Sequence, residues 1–180
     1  DQPAPPNRQI GRGDYWKFVL SVPAPRVVVV QDLDNPPAVG SFWGEVNANA
    51  HKALGCIGTV TNGSVRDLDE MRAVPFFAFA ATPSVSHAYV HIENFGIPVK
   101  VGGVVIQPGD LLHADQHGVL VIPSDIAAHV AQAAQELDAA ERRFINYCKS
   151  SDCTLEGMIE RNAQLRDELA ALQRKFALHS

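Results

Sequence analysis

The chain has 180 residues, 46% of them hydrophobic and 19% charged, which is typical of a folded globular protein and argues against global disorder. Its formal net charge of -5 gives no support to a nucleic-acid-binding surface, which would show a basic patch. No apolar run approaches membrane-spanning length and no secretion signal is recognisable. We therefore expect a cytoplasmic protein without nucleic-acid or membrane partners.

The three cysteines are Cys56, Cys148 and Cys153, and they follow no metal-ligand spacing. This usage predicts reduced thiols, as expected in the cytoplasm. Cys56 lies within an apolar run and is predicted to be a small core residue.

The first 25 residues are predicted to form an irregular N-terminal arm, because prolines and glycines interrupt them. Asp14 to Leu20 could form one or two helical turns, with Tyr15, Trp16 and Phe18 as apolar anchors. The chain begins with Asp rather than Met, so this arm is also open to being the truncated start of a longer domain.

Two apolar runs rich in β-branched residues, Arg26 to Gln31 and Gly55 to Thr61, predict neighbouring strands. Between them the pattern from Phe42 to Leu54 is helical, and Gly55 is placed to end the helix. A strand, helix and strand in this order form a right-handed parallel unit, so the predicted fold class is α/β with a parallel βαβ core. The predicted apolar side of the helix consists of Val46, Ala50 and Ala53.

After the second strand, the sequence predicts a turn with a short helix and then a series of short strands. Asn62-Gly63 predicts a sharp turn with positive φ, and a short helix is expected from Arg66 to Ala73, followed by the apolar run from Phe76 to Phe79. From Ser86 to Ile122, short alternating strands separated by turn glycines predict an antiparallel meander.

Two long helices are predicted at the C-terminal end. Pro123-Ser-Asp125 is expected to cap the first, which runs to about Cys148, and Thr154 to begin the second, which runs to about Leu178. An apolar stripe on the second is expected to pack on the core or on a neighbouring subunit; it consists of Leu155, Met158, Leu165, Leu169, Leu172 and Phe176. The predicted divisions are an arm over residues 1–25, an α/β core over 26–123 and a helical extension over 124–180.

Two chain reversals are predicted to lie side by side, because adjacent parallel strands end at the same edge of a sheet. The first leads into Gly44-Glu45-Val46-Asn47 at a helix start, and the second into Arg66-Asp67. The amides of Val46 and Asn47, at the positive end of the helix, could hold a carboxylate. Arg66 could grip the same anion through two parallel hydrogen bonds.

Carboxylates at these reversals suggest a metal site. Asp67 and Glu45 offer hard oxygen ligands, which favour Mg²⁺ or Mn²⁺ over zinc. Alternatively, Asp67, Asp69 and Glu70 merely complement a helix dipole, and Arg66 forms a surface ion pair. Composition alone leaves both interpretations open.

The sequence resembles the RraA-like family, which includes metal-dependent 4-hydroxy-4-methyl-2-oxoglutarate aldolases and a regulator of ribonuclease E activity. The resemblance lies in GTVTNGSVRDLDE over residues 58–70 and continues through GGVVIQPGD over 102–110 and HADQHGV over 113–119. It spans roughly residues 27–123. The implied fold is a swivelling β/β/α layered fold.

The aldolase pattern of this family is an acid, 20 intervening residues, Arg-Asp, two residues and a second acid. Glu45, Arg66, Asp67 and Glu70 satisfy that spacing. The resemblance implies that Asp67 binds the metal directly, that Arg66 holds the substrate carboxylate and that Glu45 acts on the metal through water. The first acid is typically Asp in the aldolases and is Glu here. Regulator-type members lose the acid after the arginine, and this chain keeps it.

The resemblance also implies a backbone pocket and an assembly. Gly44 and the amides of Val46 and Asn47 would complete the site for a small 2-oxoacid. Family members assemble as homotrimers or as hexamers of paired trimers, with active sites at subunit boundaries. A further acid near the metal would then come from a neighbouring subunit.

These features predict an enzyme, a class II (metal-dependent) pyruvate aldolase or oxoacid decarboxylase. Retro-aldol cleavage of 4-hydroxy-2-oxoacids and decarboxylation of oxaloacetate both pass through pyruvate enolate, so one Lewis-acid site can serve both. The alternative is a non-catalytic regulator that binds a protein partner such as a ribonuclease. A third interpretation is a lyase for a different hydroxyacid or sugar acid.

Other polar residues are weighed separately. His87 and His91 are four residues apart, as are His113 and His117, but neither pair has a zinc-protease context, and structural or interface roles are expected. His87 is the exception, since it follows a loop that could face the pocket. The acids beside the predicted turns, Asp110 and Asp115, are expected to satisfy backbone amides, whereas Asp32 and Asp34 could either reach the metal or cap a loop.

Overall fold

The computed structural model describes residues 10–177 and divides the chain into two compact units, one ending at Val121 and the other beginning at Ile122. None of the helices in this described range has the length and apolar character that crossing a bilayer requires. The division into arm, core and extension stays a prediction.

The first unit contains three helices and nearly all of nine short strands. In chain order these are α1 (Arg12–Ser21), β1 (Arg26–Val30), α2 (Glu45–Ala53), β2 (Cys56–Thr61), β3 (Ser64–Val65), α3 (Leu68–Ala73), β4 (Phe77–Phe79), β5 (Thr82–Pro83), β6 (Val99–Val101), β7 (Val104–Ile106), β8 (Leu111–Asp115) and β9 (Gly118–Ile122).

A parallel three-stranded sheet in the order β1-β2-β4 forms the centre of this unit. Val28 lies opposite Thr59 and Gly58 opposite Phe77. At Gly58 an added Cβ would lie 2.5 Å from the carbonyl oxygen of Phe77, so the close approach of β4 requires glycine. β6 and β7 pair antiparallel, and β8 pairs with β9. The α/β class with a parallel core, antiparallel pairs and C-terminal helices is confirmed.

Helix α1 packs into the core of the first unit, as its apolar anchors suggested. Its Tyr15 and Val19 are buried and cluster with Trp43 and Cys56, and Trp43 has no exposed surface. Burial raises the pKa of the Cys56 thiol, as expected of a cysteine that serves as a small core residue.

The predicted apolar side of α2 was wrong. Val46 is 68% exposed, and the residues that α2 buries are Asn47, Ala48 and His51. The helix also begins at Glu45 rather than at Phe42, because Trp43 forms a parallel bridge with Val65. Hydrogen bonds allow the polar side chains of Asn47 and His51 to replace apolar ones on the inner face.

Three further predictions need correction: a turn, the start of the meander and a helix cap. Neither Asn62 nor Gly63 has positive φ; instead the Asn62 side chain accepts from the amide of Asp32 and donates to its carbonyl oxygen, at 2.7 and 3.0 Å. Residues 84–98 are irregular rather than stranded, so the meander begins only at β6. Helix α4 starts after Ile126, and no side chain caps it.

The second unit is a helical hairpin of α4 (Ala127–Cys148) and α5 (Leu155–Phe176). Thr154 caps α5 as predicted, accepting from the amide of Gly157 at 3.1 Å. The only buried residue of these two helices is Ala140. Of the predicted stripe, Leu155 and Met158 are exposed and the rest is half-buried; Leu178 lies outside the described residues.

Candidate active site

The first unit contains a cavity of about 300 Å³ that reaches the first turn of α2, a size suited to a small molecule. Its lining combines two guanidinium groups, one imidazole and several apolar groups, and it includes no carboxylate. The lining residues are Arg12, Phe42, Val46, Asn47, Arg66, His87, Ala88 and Val90. This charge balance suits an anionic ligand.

Arg66 is held in this lining by backbone atoms. Its Nη1 donates to the carbonyl oxygen of Ser41 at 2.6 Å, and its Nε lies 3.6 Å from Oδ2 of Asp67. Ser41 is itself buried, with its Oγ 2.6 Å from the Trp43 carbonyl oxygen and 2.9 Å from that of Ser64. With 20% of its side chain exposed, Arg66 is a largely fixed cation whose other N–H groups remain available.

Asp67 joins the two chain reversals. Its backbone is left-handed, with φ 54° and ψ 49°, a region that Asp tolerates better than most residues. The side chain does not cap its own helix α3; its Oδ2 accepts from the amide of Glu45 at 3.0 Å, at the positive end of α2. Asp69, by contrast, is exposed and pairs with Arg72 on α3. Asp69 therefore fits the helix-dipole interpretation at α3, whereas Asp67 complements the positive end of α2 rather than that of its own helix.

Gly44, which precedes α2, permits this contact. An added Cβ would lie 2.5 Å from Oδ2 of Asp67 and 2.9 Å from Cγ of Arg66. The φ of Gly44 is -164°, which any residue can adopt, so the requirement for glycine is one of space. The Arg66 amide also donates to the carbonyl oxygen of Trp43 at 2.9 Å, which ties the segments together on the other side.

The first turn of α2 is supported from beneath by a buried polar chain. Oη of Tyr15 lies 2.8 Å from Nε2 of His51, and Nδ1 of His51 lies 2.6 Å from the carbonyl oxygen of Asn47. Burial, and secondarily the charge of Arg12, lowers the pKa of His51, so the ring is neutral near pH 7. A neutral ring has one N–H, so Nδ1 donates to Asn47 and Nε2 accepts from Tyr15. The same burial raises the pKa of Tyr15, which keeps its donor proton.

The amides of Val46 and Asn47 remain open at this helix start. Within residues 10–177, no hydrogen bond to a protein acceptor is made by either amide, as expected for the second and third residues of a helix. Both residues line the cavity, together with Arg66. The structure thus brings together Gly44, the two amides, Arg66 and the Asp67 carboxylate, whereas Glu45 is exposed at the same helix start and Glu70 is exposed on α3.

A metal would find few protein ligands here. In the described part of the chain, no three His, Cys, Asp or Glu side chains lie close enough to form a metal cluster. Asp67 and Glu45 alone supply carboxylates at the start of α2, which fits an ion such as Mg²⁺ that keeps several waters and takes one or two carboxylates.

Three of the remaining acids proposed from the sequence bond to backbone amides of their own loops. Asp32 accepts from the amides of Asp34 and Ala38 at 2.9 and 2.7 Å, so it organises its own loop. The other turn acids do the same, Asp110 for the Gln107 amide and Asp115 for the His117 amide.

Among the histidines within residues 10–177, His87 alone lines the cavity, as the sequence suggested. His91 pairs with Glu93 at 2.6 Å, and His113 and His117 flank Asp115 on an exposed hairpin. These contacts assign the other three histidines to structural pairs.

Sequence reasoning missed four residues of the cavity lining: Arg12, Phe42, Ala88 and Val90. No motif marks them, because they come from separate segments that meet only in the folded chain. The buried pair of Tyr15 and His51 was also missed; the polar residues at 47 and 51 on an otherwise apolar helix face were its one signal.

Known proteins share both sequence and fold with this chain. The sequence model of the RraA-like family, described as Aldolase/RraA, matches residues 12–121. A putative 4-hydroxy-4-methyl-2-oxoglutarate aldolase of Halalkalibacterium halodurans is 30% identical over 168 residues, which cover 88% of this chain and 80% of that protein.

Two further likenesses differ in extent. Protein DlpA of Legionella pneumophila is 30% identical over 141 residues, which cover 77% of this chain but only 22% of that longer protein. The structure of an RNA-processing inhibitor, RraA, from Thermus thermophilus superposes with a TM-score of 0.53 at 28% identity, covering 63% of this chain and 70% of that one.

Proposed function

The chain belongs to the RraA-like family, and from that premise we propose that it is a divalent-metal-dependent lyase for small 2-oxoacids. Its reactions would be retro-aldol cleavage of 4-hydroxy-2-oxoacids, which yields pyruvate and a second carbonyl compound, and decarboxylation of oxaloacetate to pyruvate and CO₂. Similarity to proteins named as aldolases supports this class.

One observation carries the proposal: Arg66 and the residues of the two open α2 amides line one small cavity, and the Asp67 carboxylate lies next to Arg66. Asp67 is not part of the lining, but its Oδ2 lies 3.6 Å from Nε of Arg66 and accepts from the amide of Glu45 at the start of α2. A fixed guanidinium and two helix-start amides are complementary to a carboxylate. The Asp67 carboxylate is the oxygen donor that we propose for the metal.

Each residue of the site has a separate proposed role. Arg66 and the amides of Val46 and Asn47 bind the carboxylate of the oxoacid and orient it. Asp67 would hold Mg²⁺ or Mn²⁺ directly, and Glu45 would do so through water. When bound, the ion would supply a Lewis acid that stabilises negative charge on the C2 keto oxygen, the charge that develops when the C3–C4 bond breaks. Phe42 contributes an apolar wall to the cavity.

The test is pyruvate release from oxaloacetate and from 4-hydroxy-4-methyl-2-oxoglutarate, with Mg²⁺ and with chelator. We expect metal-dependent turnover that Asp67→Ala abolishes while the circular dichroism spectrum is unchanged. Asp69→Ala is the matched control, because this acid lies two residues away, is exposed and contacts α3 alone. Equal activity in the Asp67 and Asp69 variants would remove Asp67 from the site.

Assembly is part of the proposal. We expect a homotrimer or a hexamer, in which a neighbouring subunit adds a further acid near the metal, consistent with the few carboxylates that this chain supplies. Native mass spectrometry measures the oligomer directly, and a monomer with full activity would contradict the shared site.

A second candidate function is regulation through a protein partner, which the likeness to the RNA-processing inhibitor favours. Here the cavity would be a remnant, and the surface of the assembly would bind a ribonuclease. Absence of metal-dependent turnover in the assembled protein, together with measurable binding to a ribonuclease, would support this function over the lyase.

A further inference from the structure

The cavity has a second cation besides Arg66. Arg12, the first residue of α1, also lines it, and no carboxylate is among the lining residues. Arg66 is engaged by the Ser41 carbonyl oxygen and lies near Asp67. Arg12 makes no ion pair with any of residues 10–177.

The position of Arg12 is defined by the helix that carries it. Tyr15, one turn further along α1, is buried and bonded to His51 on α2, and Val19 is buried in the core. The Tyr15 amide donates to the carbonyl oxygen of Gly11 at 3.3 Å, so the turn that carries Arg12 is formed. Arg12 is therefore presented to the cavity by an anchored element although its side chain is exposed.

Two separate cations lining a small cavity are complementary to two anionic groups. We infer that Arg12 binds the distal carboxylate of the substrate and selects dicarboxylic over monocarboxylic 2-oxoacids. The inference rests on the proposed function for the oxoacid end, where Arg66 and the α2 amides hold the first carboxylate. Arginine suits this role, because its planar guanidinium pairs with a carboxylate through two hydrogen bonds. Besides the two arginines, the lining consists of four apolar residues, Asn47 and His87.

The test compares the binding of two oxoacids by calorimetry in the presence of Mg²⁺: pyruvate, with one carboxylate, and 2-oxoglutarate, with two. Neither has the 4-hydroxyl group that retro-aldol cleavage requires, so binding is measured without turnover. In Arg12→Gln we expect the ratio of 2-oxoglutarate to pyruvate affinity to fall by about 10-fold, the lower end for loss of a charged hydrogen bond because the site is exposed. Arg12→Lys should retain more of the ratio than Arg12→Gln, because it keeps the charge.

Lys17→Gln is the matched control. Lys17 lies on the same helix, carries the same charge and pairs with Asp14 on the surface, so its loss should leave the affinity ratio within about twofold. A fall in the ratio in both variants would indicate a general charge effect and overturn the role of Arg12. An unchanged ratio in Arg12→Gln would overturn it as well.

The two proposals fail in different ways. If the affinity ratio falls in Arg12→Gln as expected but the protein releases no pyruvate from oxaloacetate, the lyase proposal fails and the role of Arg12 stands. If turnover is metal-dependent but the affinity ratio is the same in Arg12→Gln as in the unmodified protein, the lyase proposal stands and the role of Arg12 fails.

Discussion

The candidate site in the first unit and the helical hairpin of the second both place arginines next to acids, yet they hold them differently. Arg66 and Asp67 have side chains that are 20% and 36% exposed, and each has a backbone partner from a distant segment. On α4, Arg142 and Asp138 are 59% and 62% exposed, and within residues 10–177 they pair only with each other. The same pair of residue types is thus preorganised in one region and solvated in the other. The backbone contacts, rather than the presence of an ion pair, distinguish a site from a surface.

The largest effect should come from filling the space at Gly44. In Gly44→Ala the new Cβ would lie 2.5 Å from Oδ2 of Asp67, which must then leave the amide of Glu45. We expect metal-dependent turnover to fall by about 100-fold through misplacement of the carboxylate and the free energy of unfolding by about 1–3 kcal/mol. Enzyme assay and urea denaturation measure the two effects.

Gly13→Ala is the control for that substitution. Gly13 lies in α1 with no atom within 4 Å of an added Cβ, so alanine should leave the unfolding free energy equal or higher. Comparable losses of activity in the two variants would contradict the steric argument at Gly44.

A second steric substitution tests the hairpin. In Gly157→Ala the Cβ would overlap Oη of Tyr147, which lies 3.2 Å from the Asp152 carbonyl oxygen and 3.2 Å from the Thr154 amide. We expect a loss of about 1–3 kcal/mol in unfolding free energy with oxaloacetate turnover retained. Adding Tyr147→Ala removes the overlapping atoms, so the double variant should lose less unfolding free energy than the sum of the losses in the two single variants. Additive losses would exclude the overlap as the cause.

The pH dependence of stability should report the buried chain beneath α2. Because burial lowers the pKa of His51 in the folded protein, the unfolded chain, with a histidine pKa of about 6.5, binds the proton more readily. Stability from His51 is therefore present above about pH 6.5 and is lost as the pH falls toward the lowered folded pKa. Thermal melting between pH 5 and 8 should show a weaker dependence in His51→Gln.

His91→Gln is a control of opposite sign. Hydrogen bonds to the Tyr89 carbonyl oxygen and to Glu93 raise the pKa of His91, so its contribution is present at low pH and is lost as the pH rises. Removing it should steepen the loss of stability on acidification rather than flatten it. If the two variants changed the pH profile in the same direction, the assignment to His51 would be wrong.

The smallest effect should come from the solvated pair on α4. Arg142→Gln removes an exposed (i, i+4) partner of Asp138, and the expected loss in unfolding free energy is about 0.3–0.5 kcal/mol. Raising the salt concentration should shrink this difference further by screening. A loss above about 1 kcal/mol would mean that the hairpin depends on its surface pairs more than their exposure indicates.

The order of elements could be predicted because the backbone and the apolar pattern act locally. The β-branched run at Val27 to Val30 and the glycine at 55, which has φ of 80°, specify a strand and a helix end without knowledge of distant partners. The pairing of the Arg66 turn with the start of α2 was predictable for the same reason, since parallel strands end at one edge.

What could not be predicted depends on contacts between distant segments. His51 faces inward because Tyr15, 36 residues earlier, supplies its hydrogen bond. The hydrophobic periodicity of α2 cannot indicate a partner so distant in sequence. Asn62 is fixed by Asp32 rather than by a turn conformation. Arg12 reaches the cavity only because α1 packs in the core.

The contact between Gly44 and Asp67 has an evolutionary consequence. The two positions cannot mutate independently: a side chain at 44 requires that the acid at 67 be lost and that the Arg66 side chain, whose Cγ would lie 2.9 Å from the new Cβ, also move. Among relatives, the glycine should therefore be inherited together with the acid, and lineages that have drifted to a small neutral residue after the arginine should be the ones in which substitutions accumulate at the glycine.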